Sequence, residues 1–343
     1  MYKILDYVKY YKNISFNDVK LNVMDNLIGS ILAYLPAESF DGDKTLAEFV
    51  KYAQEFRDID TSSVMVPYAY QVLDEISNGR RYKDIVISNL ENIKNDKVQF
   101  GALTIRINDI TMVSYKGTDG SLIGWIENIR IAYDYLTITQ DYAVKYLEKT
   151  IRDSDKIIYL NGHSKGGNLA MVSGMEASFS ILQRIKKIYN FDGPGFRKQE
   201  YESNKYQALS KKLVNIMPSG SLVGVLLYNE NYNIIKSEAL GFMEHYPTSW
   251  TMFGQVFISS DLSGLSKQLH ERTTKGIELL DLEKAKVTFE TLFKTIEKKY
   301  SSSLKINFND VLTIYRNMKN IDPDIKEYID TIIAALVKNN YDN

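Results

Sequence analysis

The chain has 343 residues, 42 Lys and Arg against 43 Asp and Glu, and a formal net charge of −1; 44% of it is hydrophobic and 25% charged. That balance fits a globular protein with a sizeable core and supplies no overall field for nucleic acid or an anionic membrane. With no cysteine and only three histidines, His163, His245 and His270, disulfides, thiolate metal sites and a cysteine nucleophile are excluded, and no metal or cofactor is expected.

The first residues, MYKILDYVKYYKN, lack the apolar core and small-residue cleavage site of a signal peptide. No run of roughly eighteen apolar residues occurs, so a cytoplasmic protein without a transmembrane segment is expected.

Residues 1–60 carry helical signals. Asn17-Asp18 precedes an apolar face of Val19, Leu21, Val23, Leu27, Ile28, Ile31 and Leu32, and Asp43 precedes TLAEFVKYAQEF. Further helices are expected over 63–98, with a break at Asn78-Gly79 and an amphipathic helix in KDIVISNLENIKND. The sheet is expected to begin at Gly101, with strands Ala102–Ile107 and Ile110–Tyr115 joined by Asn108-Asp109. A long helical pattern then runs from Leu122 to about Glu148. Further strands are expected at Lys186–Phe191, Leu213–Met217 and Tyr232–Ser237.

Between them lies KIIYLNGHSKGGNLA, Lys156–Ala170. An apolar β-branched run, a G-x-S-x-G turn and a helical pattern follow in that order, the context of a nucleophile elbow. Gly162 and Gly166 meet the crowding of so tight a turn, and Ser164 is the expected nucleophile. A serine hydroxyl needs a base within hydrogen-bond reach. His163 reads as a packing residue at the turn and His270 as a solvated helical residue. His245, after the last strand and before a helix start at Thr248 or Ser249, is the expected base. Two N–H donors must face the developing oxyanion. Lys165 supplies one from the residue after the nucleophile. Thr118, in the Lys116-Gly117-Thr118-Asp119-Gly120 loop, supplies the other and adds its hydroxyl.

These stretches carry a resemblance. VSYKGTDGSLIGWIENI, the elbow and FDGPGF are similar to class 3 (fungal-type) lipases, with their [FY]-[RK]-G-[ST] loop, G-H-S-x-G-G and later F-G-x-P. The match is closer to a bacterial branch of that lipase-like superfamily, marked by G-H-S-K-G-G-N, D-G-P-G-F, P-x-x-S-x-V-G and a late histidine before S-W. These stand here at Gly162–Asn168, Asp192–Phe196, Pro218–Gly224 and His245–Trp250. The resemblance spans about residues 20–255 and implies an α/β-hydrolase core with serine esterase or lipase-type chemistry.

One departure concerns the acid. Class 3 lipases carry an aspartate after the strand corresponding to Leu213–Met217, where this chain has Pro218-Ser219-Gly220-Ser221. A serine there could orient an imidazole but not stabilise its charge. Asp192, ending the preceding strand on the same sheet edge, is the expected acid, with Glu238 and Glu244 weaker alternatives.

The expected architecture is therefore an α/β-hydrolase-type sheet flanked by helices, with extra N-terminal and C-terminal helical segments. It divides as a lipase-like domain over 1–260 and a helical extension over 261–343. The expected activity is serine hydrolysis of a small-molecule or lipid-like ester by Ser164, His245 and Asp192. The alternative is a hydrolase-fold binding or regulatory module. A peripheral membrane contact through the helix after Gly120 is open, although burial of its apolar face on the sheet accounts for it equally well.

Overall fold

Alternation along the middle strands decides the layering. In the computed structural model, which describes residues 1–59, 63–95, 98–118, 122–300, 308–319 and 321–341, the chain opens with α1 (Ile4–Tyr11), α2 (Val23–Leu32), β1 (Phe40–Thr45), α3 (Leu46–Gln54) and α4 (Met65–Ser77). There follow β2 (Val86–Lys94), β3 (Gln99–Ile107), β4 (Ile110–Tyr115), α5 (Leu122–Tyr133), α6 (Ile138–Thr150), β5 (Ile157–His163) and α7 (Lys165–Glu176). Next come α8 (Phe179–Arg184), β6 (Ile185–Phe191), α9 (Lys198–Tyr201), α10 (Asn204–Ser210), β7 (Leu213–Pro218) and β8 (Tyr232–Ile235). A hairpin of β9 (Met252–Phe253) and β10 (Val256–Phe257) precedes α11 (Gly264–Leu279), α12 (Leu282–Tyr300), α13 (Phe308–Asn317) and α14 (Pro323–Tyr341).

Among the described residues the main sheet has eight strands in the order of the chain, β1 to β8. β1 to β4 pair antiparallel, and β4 to β8 pair parallel. Met112, Tyr189 and Phe191 face a core filled by α1 to α4, while Val113, Tyr115, Ile158, Leu160 and Ile188 face a second core under α6, α7 and α10. Period-two side chains thus bury both faces of the parallel strands. This is an α/β-hydrolase-type fold, as the sequence pattern predicts.

Several expectations change. KDIVISNLENIKND holds a strand rather than a helix, and the sheet begins well before Gly101. The cause is a bulge: the β2–β3 register shifts between Ser88 and Glu91, and Asn89 adopts φ +50°. The extra residue puts Ile87 and Leu90 into the same core at a spacing of three, which mimics a helix. The N-terminal helices also start later than their presumed caps. Asn22, not Asn17-Asp18, caps α2 through its bond from Met24 N at 2.9 Å. Thr45 rather than Asp43 caps α3. The pattern from Leu122 splits into α5 and α6, the second opened by a Thr137–Gln140 capping box.

The C-terminal helices join a core with α5. Ile131 and Tyr133 pack with Ile277, Phe289 and Phe293, and Arg130 forks onto Glu290 at 2.9 and 3.0 Å. The apolar end of α5 is therefore covered by these helices and not by the sheet; the side chains of 122–126, Trp125 among them, lie outside the described residues. Among the described residues no helix is long and apolar enough to cross a membrane.

Candidate active site

β5 delivers the chain to a turn that leaves almost no room. A Cβ on Gly162 would lie 2.1 Å from the Gly166 carbonyl oxygen, and one on Gly166 would lie 2.1 Å from that of Tyr115. Ser164, between them, has φ +59° and ψ −131°, a conformation costing about 1–3 kcal/mol that its surroundings must over-determine. They do so with bonds from Ser164 N to Phe191 O at 2.9 Å and from Gly167 N to Ser164 O at 2.8 Å. The serine stands at the N-cap of α7, at the positive end of the helix dipole. It is 7% exposed.

β6, the next strand in the sheet, ends at Asp192, also in a left-handed conformation with φ +54°. Its carboxylate gathers three donors. His245 Nδ1 approaches Oδ2 at 2.6 Å, while Ser221 Oγ and Gly224 N donate to Oδ1 at 2.5 and 3.1 Å. Ser221 and Gly224 belong to the loop after β7. The serine of that loop therefore serves the aspartate; it does not touch the imidazole, as the sequence left open. Burial pushes the Asp192 carboxyl up and the His245 imidazole down to about 3. The Ser221 and Gly224 donors on Oδ1 oppose that burial in favour of the carboxylate, which suits a proton on His245 Nδ1 in this contact. His245 Nε2 is then the basic edge.

His245 sits in a 3-10 turn, Gly241–His245, followed by a second, Pro247–Ser249, where a helix start was expected. His163 does more than fill space. Tyr34 Oη bonds its Nδ1 at 2.9 Å, and its Nε2 donates to the His245 carbonyl at 2.8 Å. Burial holds the His163 pKa well below the usual histidine range, which keeps the ring neutral. Trp250 Nε1 donates to Glu244 O at 2.7 Å, and the Glu244 carboxylate accepts from Ser219 Oγ and Gly220 N, each at 2.9 Å. Glu238 instead binds the N-terminal amine and Lys3. Neither glutamate carboxylate bonds the imidazole. His270 is half-buried rather than solvated, its Nδ1 2.8 Å from Val225 O.

On the other side of the turn, β4 ends in Lys116-Gly117-Thr118. A Cβ on Gly117 would meet the Tyr34 hydroxyl at 2.0 Å and the His163 carbonyl at 2.6 Å, so glycine lets this loop lie against the elbow. Thr118 Oγ1 accepts from Asn128 Nδ2 at 2.9 Å, so its hydroxyl is engaged by α5. The rest of the loop, Asp119 and Gly120, lies outside the described residues. The Lys165 amide is the first of α7. Among the described residues no group of His, Asp and Glu side chains is placed to hold a metal.

Ser164, His245, Asp192, Thr118 and Lys165 thus come to one edge of the parallel sheet. Tyr34, Gly224 and Trp250 were not assigned parts from the sequence, and the serines after β7 were weighed only as partners of the imidazole. Ser221 and Gly224 carried a signal, the P-x-x-S-x-V-G spacing. Tyr34 carried none, because it lies 129 positions from its partner.

A model of the Mbeg1-like family matches residues 76–294, more than half of the chain. No curated protein matches. Among solved structures, the chain is similar to one titled a crystal structure of M37 lipase, at 12% identity and a TM-score of 0.38 over 90% of this chain and 98% of that one. It is also similar to the native Rhizomucor miehei lipase propeptide complex, at 13% identity and a TM-score of 0.26, over 43% of this chain. That match spans 57% of the Rhizomucor miehei chain.

Proposed function

This chain belongs to the Mbeg1-like family, and from that premise we propose that it is a serine hydrolase of the esterase or lipase type, acting on a carboxylic ester. The observation that carries the reading is the 2.6 Å bond between His245 Nδ1 and Asp192 Oδ2, on the strand next to the one that delivers Ser164. In this reading Ser164 Oγ attacks the ester carbonyl as His245 Nε2 takes its proton. The tetrahedral oxyanion is met by the amides of Lys165 and Thr118. The imidazolium returns the proton to the leaving alcohol, and water repeats the sequence on the acyl-enzyme. Asp192 holds the ring and balances its charge. We read the helices that follow Asp261 as a C-terminal extension, which packs on α5 through Ile277, Phe289 and Phe293.

Reaction of the purified chain with a fluorophosphonate, read by peptide mass spectrometry, tests this directly. Labelling at Ser164 that is lost in His245→Ala supports it; ester turnover unchanged in Ser164→Ala ends it. A second reading, a hydrolase-fold binding module, is favoured by the closure of the site, where His245 is only 5% exposed. A folded chain that resists the label yet is stabilised by a non-reactive ester analogue would select that reading.

A further inference from the structure

Lys165 carries a side chain the reaction above does not use. It is fully buried, and its three ammonium N–H groups each find an acceptor: Gln99 O at 2.7 Å, Gln99 Oε1 at 2.8 Å and Glu127 Oε2 at 2.8 Å. Glu127 in turn accepts from the Thr139 hydroxyl. A buried lysine persists only when its charge is paired and its donors are satisfied. Here they are, and the consequence falls on Gln99.

An ammonium group is donor only, so the atom of the Gln99 amide that faces it must be the oxygen. The amide nitrogen is thereby turned the other way, where Nε2 donates to Gly117 O at 3.3 Å. Gly117 C=O and Thr118 N–H belong to one planar trans peptide and point in opposite directions. Fixing the carbonyl toward the buried Gln99 aims the Thr118 amide away from the interior. Among the described residues that amide donates to no acceptor. We infer that Gln99, oriented by the Lys165–Glu127 ion pair, is a positioning residue that aims the Thr118 N–H at the oxyanion. The inference rests on Ser164 being the nucleophile. It also links the two oxyanion donors, since the residue that offers one amide sets the direction of the other through its side chain.

Gln99→Glu keeps an acceptor for Lys165 but removes the donor to Gly117; Gln99→Leu removes both. With p-nitrophenyl butyrate as the probe and active sites titrated by fluorophosphonate, either variant should lose about 10²-fold in kcat with KM within about twofold, the split of a group that acts only in the transition state. A merely structural role would lower the melting temperature and the titratable fraction, leaving kcat per titrated site unchanged. Wild-type kcat per site in folded variants overturns the inference, as does a crystal structure of Gln99→Glu with the Gly117 carbonyl unmoved. The wild-type chain gives a reading that needs no variant: by NMR the Thr118 amide should exchange readily in the free protein and slowly in the fluorophosphonate adduct. Protection already present in the free protein also overturns it. Failure of the wild-type chain to label or to turn over any ester would instead remove the Ser164 reading, and the Gln99→Glu crystal structure would still decide the peptide's direction.

Discussion

His163 and His245 lie ring against ring, centroids 4.6 Å apart, and the first donates its Nε2 proton to the backbone carbonyl of the second at 2.8 Å. A residue of the elbow itself therefore fixes the turn that carries the proposed base. The bond requires a proton on Nε2, and burial, which keeps the ring neutral, leaves Nδ1 to accept from the Tyr34 hydroxyl.

That requirement has a stability cost in acid. His163 is buried and its folded pKa lies well below the 6.5 of the unfolded chain. Below about pH 6.5 the unfolded chain binds the extra proton, so stability falls as pH falls toward the folded pKa. For one such group the slope approaches about 1.4 kcal/mol per pH unit. His163→Gln, which keeps a donor for the His245 carbonyl, should lose about that much of the slope between about pH 6 and about pH 5. Urea titrations of both proteins at stepped pH measure the difference, in which the contributions of His245 and Asp192 cancel. Equal slopes would show that His163 is protonated in the fold.

The rate should respond differently. Burial drops the His245 imidazole to about 3, and the base works in its neutral form. The acid limb of kcat/KM for an ester probe is therefore expected below pH 6.5, the ordinary histidine value. A limb at or above that value would show the imidazole to be solvated in the working enzyme.

In the proposed mechanism Asp192 contributes both orientation and charge. Asp192→Asn should lower kcat on the order of 10³–10⁴-fold, because the amide donates where the ring also donates and forces the wrong tautomer. Ser221→Ala leaves the Gly224 amide on Asp192 Oδ1, and loss of one charge-assisted bond, about 1.5–3 kcal/mol, should cost about tenfold or more in kcat. Steady-state kinetics of the two variants checks the order; a silent Ser221→Ala would mean that Gly224 alone suffices.

The elbow glycines can be tested without any substrate. In Gly162→Ala the new Cβ meets backbone at 2.1 Å, and the turn has no side chain there to move. The loss should lie at or beyond the upper end of the about 1–3 kcal/mol seen for overpacking. Gly264→Ala, where a Cβ meets nothing within 4 Å, serves as the neutral control. Urea midpoints of the two report the contrast.

Much of the site was legible because its chemistry is local. The elbow needs a strand, two crowded glycines and a helix start within fifteen residues, and Lys156–Ala170 spells them out. The hairpin of β3 and β4 reads in the same way, with Asn108 at φ +52° in its turn. β2 was not legible, since a bulge converted its alternation into a helical spacing. The part played by Ser221 stayed open for a related reason: a hydroxyl at a sheet edge has several partners within reach, and only the packing of the loop after β7 selects Asp192 over His245.

Sequence alone determined where the G-x-S-x-G turn falls and the order of the proposed serine, acid and histidine along the chain. These follow from steric limits acting over a few residues. Tertiary structure decided which carboxylate meets His245, what holds Asp192 and His245 in place, and that Lys165 turns inward to Gln99 and Glu127. Those choices join positions as far apart as Gln99 and Lys165, Tyr34 and His163, or Asp192 and His245. Their pairing depends on strand order and loop packing, which no local propensity encodes.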